Sequence, residues 1–267
     1  MRSIPQRPLA LVTGASTGIG LELARRFAEH GFDLVIAAHD DELQAAAPSL
    51  RGHGADVVAV RVDLATADGV EELWQRVQAT GRPLAAAALN AGRGAGGAFA
   101  GGTELADELE TIDLNVRGTV HLAKHVATDM VARGEGRILF TSSIAATMPG
   151  TYQAVYNASK SFVHSFALAL RAELADTGVT VTSLMPGPTD TEFFARAGML
   201  DTRIGAGEKD DPADVARDGF EALMQGEERV VSASMKTRVQ GRASRILPDR
   251  AKAAMHARMA EPGSAKE

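Results

Sequence analysis

Tyr156 and Lys160 stand four residues apart in the stretch YNASK (156–160). On a helix that spacing places the phenol and the ammonium on one face, about one turn apart. Two chemistries are open to such a pair. One is a surface contact worth roughly a few tenths of a kcal/mol. The other is a tuned proton donor: a phenol of ordinary pKa about 10, lowered by the neighbouring cation. Hydride transfer to a carbonyl calls for such a donor, because the developing alkoxide must take a proton.

A second stretch has chemical potential. TGASTGIG (13–20) follows the apolar run LALV (9–12) and opens the amphipathic segment IGLELARRFAEH (19–30). A glycine turn between a strand and a helix is the setting of a dinucleotide site. Gly14 permits the tight turn, Gly18 lets the backbone approach a pyrophosphate, and Gly20 allows close helix packing. The helix N-terminus offers free N–H groups and the positive end of its dipole. A glycine turn without a ligand is the plainer alternative. The spacing is G-x-x-x-G-x-G rather than G-x-G-x-x-G.

The elements that must carry these residues alternate along the chain. Apolar runs at 33–38, 57–63, 84–90, 137–143, 179–187 and 229–234 read as strands. Helical patterns lie between them, including one long helix over 104–134, one from about Tyr156 to Asp176, and one over 211–226. Such alternation means βαβ units and a parallel sheet. The segment 188–211 reads as a loop and a lid over the substrate entrance. The chain is 267 residues with 45% hydrophobic and 23% charged residues, enough for one α/β domain with a sizeable core. Its net charge of −6 argues against nucleic acid as a partner. With no cysteine, disulfides, thiol catalysis and Cys-ligated metals are excluded. The first apolar run is too short for a signal or membrane segment, so a cytoplasmic protein is expected.

Seven motifs in order make the chain resemble the classical short-chain dehydrogenase/reductase family. They are the TGxxxGxG turn, Asp63 in RVDLA, NAG (90–92), Asn115 in LNVRG, TSS (141–143), YNASK, and MPGPTDT (185–191). The resemblance covers roughly residues 8–235. It implies a single-domain Rossmann-type doubly wound sheet of strand order 3-2-1-4-5-6-7. It also implies an NAD(P)(H)-dependent oxidoreductase that interconverts a carbonyl and a secondary alcohol.

The resemblance assigns roles residue by residue. Ser143, thirteen positions before Tyr156, is the family's serine rather than Ser142; it would hold the substrate oxygen. Tyr156 would exchange the proton. Lys160 would lower the phenol's pKa and bond the nicotinamide ribose, and Asn115 would hold a relay water. The dinucleotide would lie on Gly14, Ser16, Thr17, Gly18, Ile19 and Gly20, with His39 at the ribose. Asp63 and Leu64 would flank the adenine, and Asn90, Ala91 and Gly92 the adenosine. Pro186, Gly187, Thr189 and Thr191 would close over the nicotinamide end. A non-catalytic NAD(P)-binding regulator on the same fold is the rival, and an epimerase is a weaker one, since 267 residues leave no room for a larger substrate domain.

Cofactor choice is nearly balanced in the sequence. The place where an NAD enzyme wants an acid is Ala38, and the place where an NADP enzyme usually has arginine is His39. Asp40 and Asp41 would oppose a 2′-phosphate if they turned inward. The missing acid at Ala38 leans the reading slightly to NADP, with NAD open. Phe99, Met148, Tyr152, Phe193, Phe194 and Met199 are candidates for an apolar pocket wall and a hydrophobic substrate. The small residues Ala158, Ser161, Ala169 and Ala172 suit a helix pairing in a homodimer or homotetramer. His121 and His125 have metal-binding spacing, but no third ligand is evident, so they read as a surface or interface pair and no metal is expected. Residues 236–267 form a basic tail, part helical and solvated, whose last residues, EPGSAKE, are expected to be disordered.

Overall fold

The computed structural model describes residues 6–232 and 248–266. Seven parallel strands form one sheet: β1 (Leu9–Thr13), β2 (Asp33–Ala38), β3 (Val57–Arg61), β4 (Leu84–Leu89), β5 (Gly136–Thr141), β6 (Val179–Pro186) and β7 (Arg229–Ser232). Their order is β3-β2-β1-β4-β5-β6-β7, the order the resemblance implies. In register, Leu11 lies beside Val35 of β2 and Ala87 of β4. The order reverses between β1 and β4, and a cleft opens there at the carboxyl ends of the strands.

The strands are apolar runs because helices cover both sheet faces. On one face Leu11, Val35, Ala87, Ile138 and Phe140 meet Leu73 and Trp74 of α3 (Ala67–Ala79), Leu122 and Met130 of α5 (Thr119–Arg133), and Val163 of α6 (Ala154–Glu173). On the other, Val12, Leu34, Ile36 and Ala88 meet α1 (Gly18–Glu29), α2 (Glu42–Arg51) and α9 (Pro212–Gln225). Phe27 of α1 packs edge-on against Phe32 and Phe220, each centroid 5.1 Å away. β4 lacks β-branched residues, yet its alanines are buried between neighbouring strands and large side chains of the two helical layers.

Four expectations are corrected. The long helix is α4 (Leu105–Ile112) and α5 joined by a π-helical stretch, Asp113–Gly118, which carries Asn115. β5 stops at Thr141, so Ser142 and Ser143 leave the sheet and Ser143 caps a 3-10 turn, Ile144–Thr147. The lid segment holds two one-turn helices, α7 (Phe193–Arg196) and α8 (Arg203–Ala206).

The fourth correction is the chain's end. α10 (Asp249–Ala260) buries His256 and Ala260. After it, Gly263 N–H donates to the Asp201 carboxylate at 2.8 Å and Arg203 N–H donates to the Ser264 hydroxyl at 3.1 Å. Residues 261–266 therefore dock on the lid rather than trail into solvent, because α8 and the turn before it supply backbone and side-chain partners. Residues 236–247 of the expected tail lie outside the described residues.

Candidate active site

The end of β5 and the first turns of α6 bring Ser143, Tyr156 and Lys160 together. Ser142 Oγ donates to the carbonyl of Lys160 at 2.8 Å and ties α6 to the strand end. Lys160 Nζ is buried and donates to the carbonyl of Thr141 at 3.0 Å. The same Nζ stands 5.9 Å from the centroid of the Tyr156 ring. Tyr156 and Ser143 line the same cleft, and Ser143 Oγ accepts from Ala145 N–H at 3.1 Å. Phe193 of α7 covers the tyrosine ring, centroid to centroid 5.0 Å.

Burial decides both acidities. It pushes the Tyr156 phenol up to about 12, with the Ser143 hydroxyl opposing the rise. It brings the Lys160 ammonium down to about 8. The expected lowering of the phenol by Lys160 is corrected: burial raises the phenol, and the cause that opposes the rise is Ser143, not Lys160.

Asn115 is buried with its side chain fully engaged. Its amide N–H groups donate to Arg93 O at 2.8 Å and Ser159 Oγ at 2.9 Å, and its Oδ1 accepts from Arg93 N–H at 2.9 Å. It does not line the cleft. Its side chain locks the π-helical stretch to α6 and to the loop after β4. Such stretches recur at functional sites because they break the regular hydrogen-bond ladder.

The glycine turn is built as its spacing requires. A Cβ on Gly20 would stand 1.9 Å from the carbonyl oxygen of Gly14 and 2.6 Å from Asn90 Nδ2. Gly14 and Gly18 have φ of +65° and +55°, which disfavours other residues. Asn90 Nδ2 donates to Thr13 O at 3.1 Å, and its Oδ1 accepts from Thr141 Oγ1 at 3.0 Å, so one side chain joins the ends of β1, β4 and β5.

Two observations test whether a dinucleotide fits. Thr17, the N-cap of α1, makes no side-chain hydrogen bond to the helix, which leaves first-turn N–H groups for a phosphate. At the end of β2, Asp40 turns inward: Oδ2 accepts from Ser16 Oγ at 3.1 Å, while Oδ1 is buried with no hydrogen-bond partner. Asp41 instead faces solvent and pairs with Arg61 at 2.7 Å. His39 is mostly exposed. Turn, helix end and orphaned carboxylate oxygen all fit a nicotinamide dinucleotide.

These residues share one cleft of about 500 Å³. It is lined by every dinucleotide-binding candidate and by Ser143, Tyr156 and Lys160. Of the expected apolar wall, Met148, Phe193 and Phe194 line it. Phe99 is exposed, whereas Met199 is buried within the lid segment, packed with Phe194 and against Tyr152. Sequence reasoning missed Ile204, His256 and Met259, which line the cleft from α8 and α10. For the two on the tail helix the one signal was the spacing of His256, Met259 and Ala260 on a single face; Ile204 had none. Among the described residues, His121 and His125 also gain the third neighbour that the sequence did not show, Glu71 of α3.

Comparison with known proteins places this geometry. The short chain dehydrogenase family model matches residues 8–199. The chain belongs to the short-chain dehydrogenase family. It is thus an NAD(P)-dependent oxidoreductase. The NADP-dependent 3-hydroxy acid dehydrogenase YdfG of Salmonella typhi is 34% identical over 187 residues, 69% of this chain and 74% of that protein. A short-chain dehydrogenase from Sphingobium yanoikuyae, solved with NADPH, superposes with a TM-score of 0.77 at 29% identity, covering 90% of this chain and 96% of that one. One from Burkholderia phymatum, solved with NAD, gives 0.81 at 26% identity, covering 89% and 92%. Short-chain dehydrogenase relatives thus use either dinucleotide, and the choice made by this member must come from its own residues.

Proposed function

We propose that this oxidoreductase interconverts a carbonyl and a secondary alcohol on an apolar small molecule, with Tyr156 as proton donor and acceptor. The observation that carries the reading is Ser143, Tyr156 and Lys160 together in the wall of one cleft, with the buried Lys160 one turn from Tyr156. The bound dinucleotide supplies or accepts the hydride. Ser143 holds the substrate oxygen beside the phenol. A phenol raised toward 12 stays protonated at neutral pH and is ready to protonate an alkoxide. Lys160 anchors the ribose side, and Asn115 holds the π-helical stretch to α6 beside it.

Ser16, Thr17 and Ile19 at the head of α1 would hold the pyrophosphate, with Gly14, Gly18 and Gly20 shaping the turn. Asp63, Leu64, Asn90, Ala91 and Gly92 would flank the adenosine. Pro186, Gly187, Thr189 and Thr191 would cover the nicotinamide. Asp40 changes the cofactor reading. Its unpartnered inward oxygen suits a 2′-hydroxyl and repels a 2′-phosphate, so the slight sequence lean to NADP moves to NAD. Arg196, 3.5 Å from the same carboxylate, softens the repulsion and keeps the discrimination modest.

The substrate end is walled by Met148, Phe193, Ile204 and Met259, which supports a hydrophobic ketone, aldehyde or alcohol. We also read the protein as a homo-oligomer. On α6 Ala158, Phe162, Ser165, Ala169 and Ala172 form one exposed stripe, beside exposed Leu105, Leu109 and Ile112 of α4. Ser161 is not part of it, since its hydroxyl donates inward to Ala146 O at 2.8 Å. No described helix is long and apolar enough to cross a membrane. Nicotinamide dinucleotides are held inside cells, which supports a cytoplasmic location.

The test is a panel of hydrophobic ketones, aldehydes and secondary alcohols, followed at 340 nm with NAD(H) and NADP(H). Turnover of an apolar member with NAD(H) at least equal to NADP(H) is expected. Tight dinucleotide binding with no turnover on any member would favour the non-catalytic regulator.

A further inference from the structure

We propose that Glu71, His121 and His125 form a zinc site on the outer face of the helical layer, remote from the cleft. His121 and His125 lie one turn apart on α5, and Glu71 reaches them from α3. The Nε2 atoms of both imidazoles approach the same carboxylate oxygen, Glu71 Oε1, at 2.7 and 2.9 Å. All three donor atoms lie within 4.8 Å of one another. Trp74, one turn from Glu71 on α3, stacks on His125 with centroids 5.3 Å apart and planes 12° from parallel, which fixes that ring's direction.

Convergence of three donors on one point exceeds what a single hydrogen bond needs. Two imidazole nitrogens and one carboxylate oxygen form a donor set that zinc takes readily, with a fourth position open to water. Ligand atoms about 2.1 Å from a tetrahedral ion stand about 3.4 Å apart. From 2.7 and 2.9 Å, the two N···O separations need to widen by about 0.7 and 0.5 Å, within reach of the half-exposed glutamate side chain. Such a site would staple α3 to α5, the helix that follows the π-helical stretch around Asn115.

Tag-free protein, stripped with a chelator, is titrated with zinc at pH 7.5 in a calorimeter, and separately with cobalt(II) in a spectrophotometer. One zinc per chain is expected, with visible cobalt bands of nitrogen–oxygen coordination and a raised Tm at saturating zinc. Glu71→Gln and His121→Ala should each weaken zinc binding at least tenfold, with circular dichroism checking that the variants fold. The wild-type protein alone can overturn the proposal: no zinc uptake by about 100 µM, a free energy near −5.5 kcal/mol, and no cobalt bands would mean that the two imidazoles only donate to Glu71. Uptake left intact in a His121→Ala, His125→Ala double variant, which keeps five of the seven histidines, would place the ion elsewhere and overturn it as well.

Discussion

The ammonium of Lys160 stands over the face of the Tyr156 ring, 5.9 Å from its centroid, while its hydrogen bond goes to the carbonyl of Thr141. The two residues share the wall of one cleft and are displaced in acidity in opposite senses, the phenol upward and the ammonium downward. Each keeps its neutral form over a wider pH range than it would in water.

That relationship fixes a pH dependence of stability. The folded pKa of Lys160 is about 8, below its ordinary 10.5. Between those values the unfolded chain holds the proton and the folded chain does not, so stability rises with pH across that window. The effect is at most on the order of 3 kcal/mol. For Tyr156 the folded value is about 12 against 10. There the folded chain keeps a proton that the unfolded chain has lost, so stability falls with pH from 10 to 12. Urea midpoints of the wild type and Lys160→Met at pH 7.5 and 9.5 check the first limb. A wild-type-minus-variant difference that does not grow at the higher pH contradicts it.

Cofactor choice should follow Asp40. Removing the inward carboxylate in Asp40→Ala is expected to raise kcat/KM for NADP(H) relative to NAD(H) by at least about tenfold, or roughly 1.4 kcal/mol. His39→Arg should move the preference the same way by adding a cation beside the 2′ position. The wild-type discrimination should stay within about 100-fold, under roughly 3 kcal/mol. If Asp40→Ala leaves the ratio unchanged, the carboxylate does not face the ribose.

Gly20 should tolerate no side chain. With a Cβ placed 1.9 Å from the Gly14 carbonyl oxygen, Gly20→Ala must push α1 away from the glycine turn. A loss of about 2 kcal/mol or more is expected, with dinucleotide affinity reduced alongside it. Chemical denaturation and fluorescence titration read the two effects. A fully stable alanine variant would mean that α1 does not pack this closely.

Assembly should depend on the α6 stripe. Phe162 is the one large side chain among small ones there and is 42% exposed in the single chain. Phe162→Glu is expected to convert a homodimer or tetramer to smaller species by light scattering. A wild-type monomer at micromolar concentration would remove the oligomer from the account.

Much of this was legible in the sequence, for physical reasons. Strands buried on both faces read as apolar runs, so the sheet could be counted. The glycine turn and the Tyr156–Lys160 spacing are local, so their places could be named from the chain alone. What escaped depends on packing between distant segments. The π-helical stretch is hidden because amphipathic periodicity continues on both sides of it. Glu71 lies 50 positions from His121 and meets it only where α3 and α5 pack. The inward turn of Asp40 depends on Ser16 in another element. The docking of α10 escaped because a lysine- and arginine-rich, alanine-rich helix buries just His256 and Ala260.

The central claim rests on one hydroxyl. Tyr156→Phe keeps the ring against Phe193 and deletes only the proposed proton donor. The measurement is kcat at 340 nm on the best substrate of the panel, with dinucleotide affinity of the same variant measured by fluorescence. The account predicts a loss of at least about 100-fold in kcat, since general acid catalysis is typically worth 10² to 10⁴, with cofactor binding within about twofold of the wild type, or roughly 0.4 kcal/mol. Retention of more than about a tenth of kcat, a barrier change below roughly 1.4 kcal/mol, would contradict it.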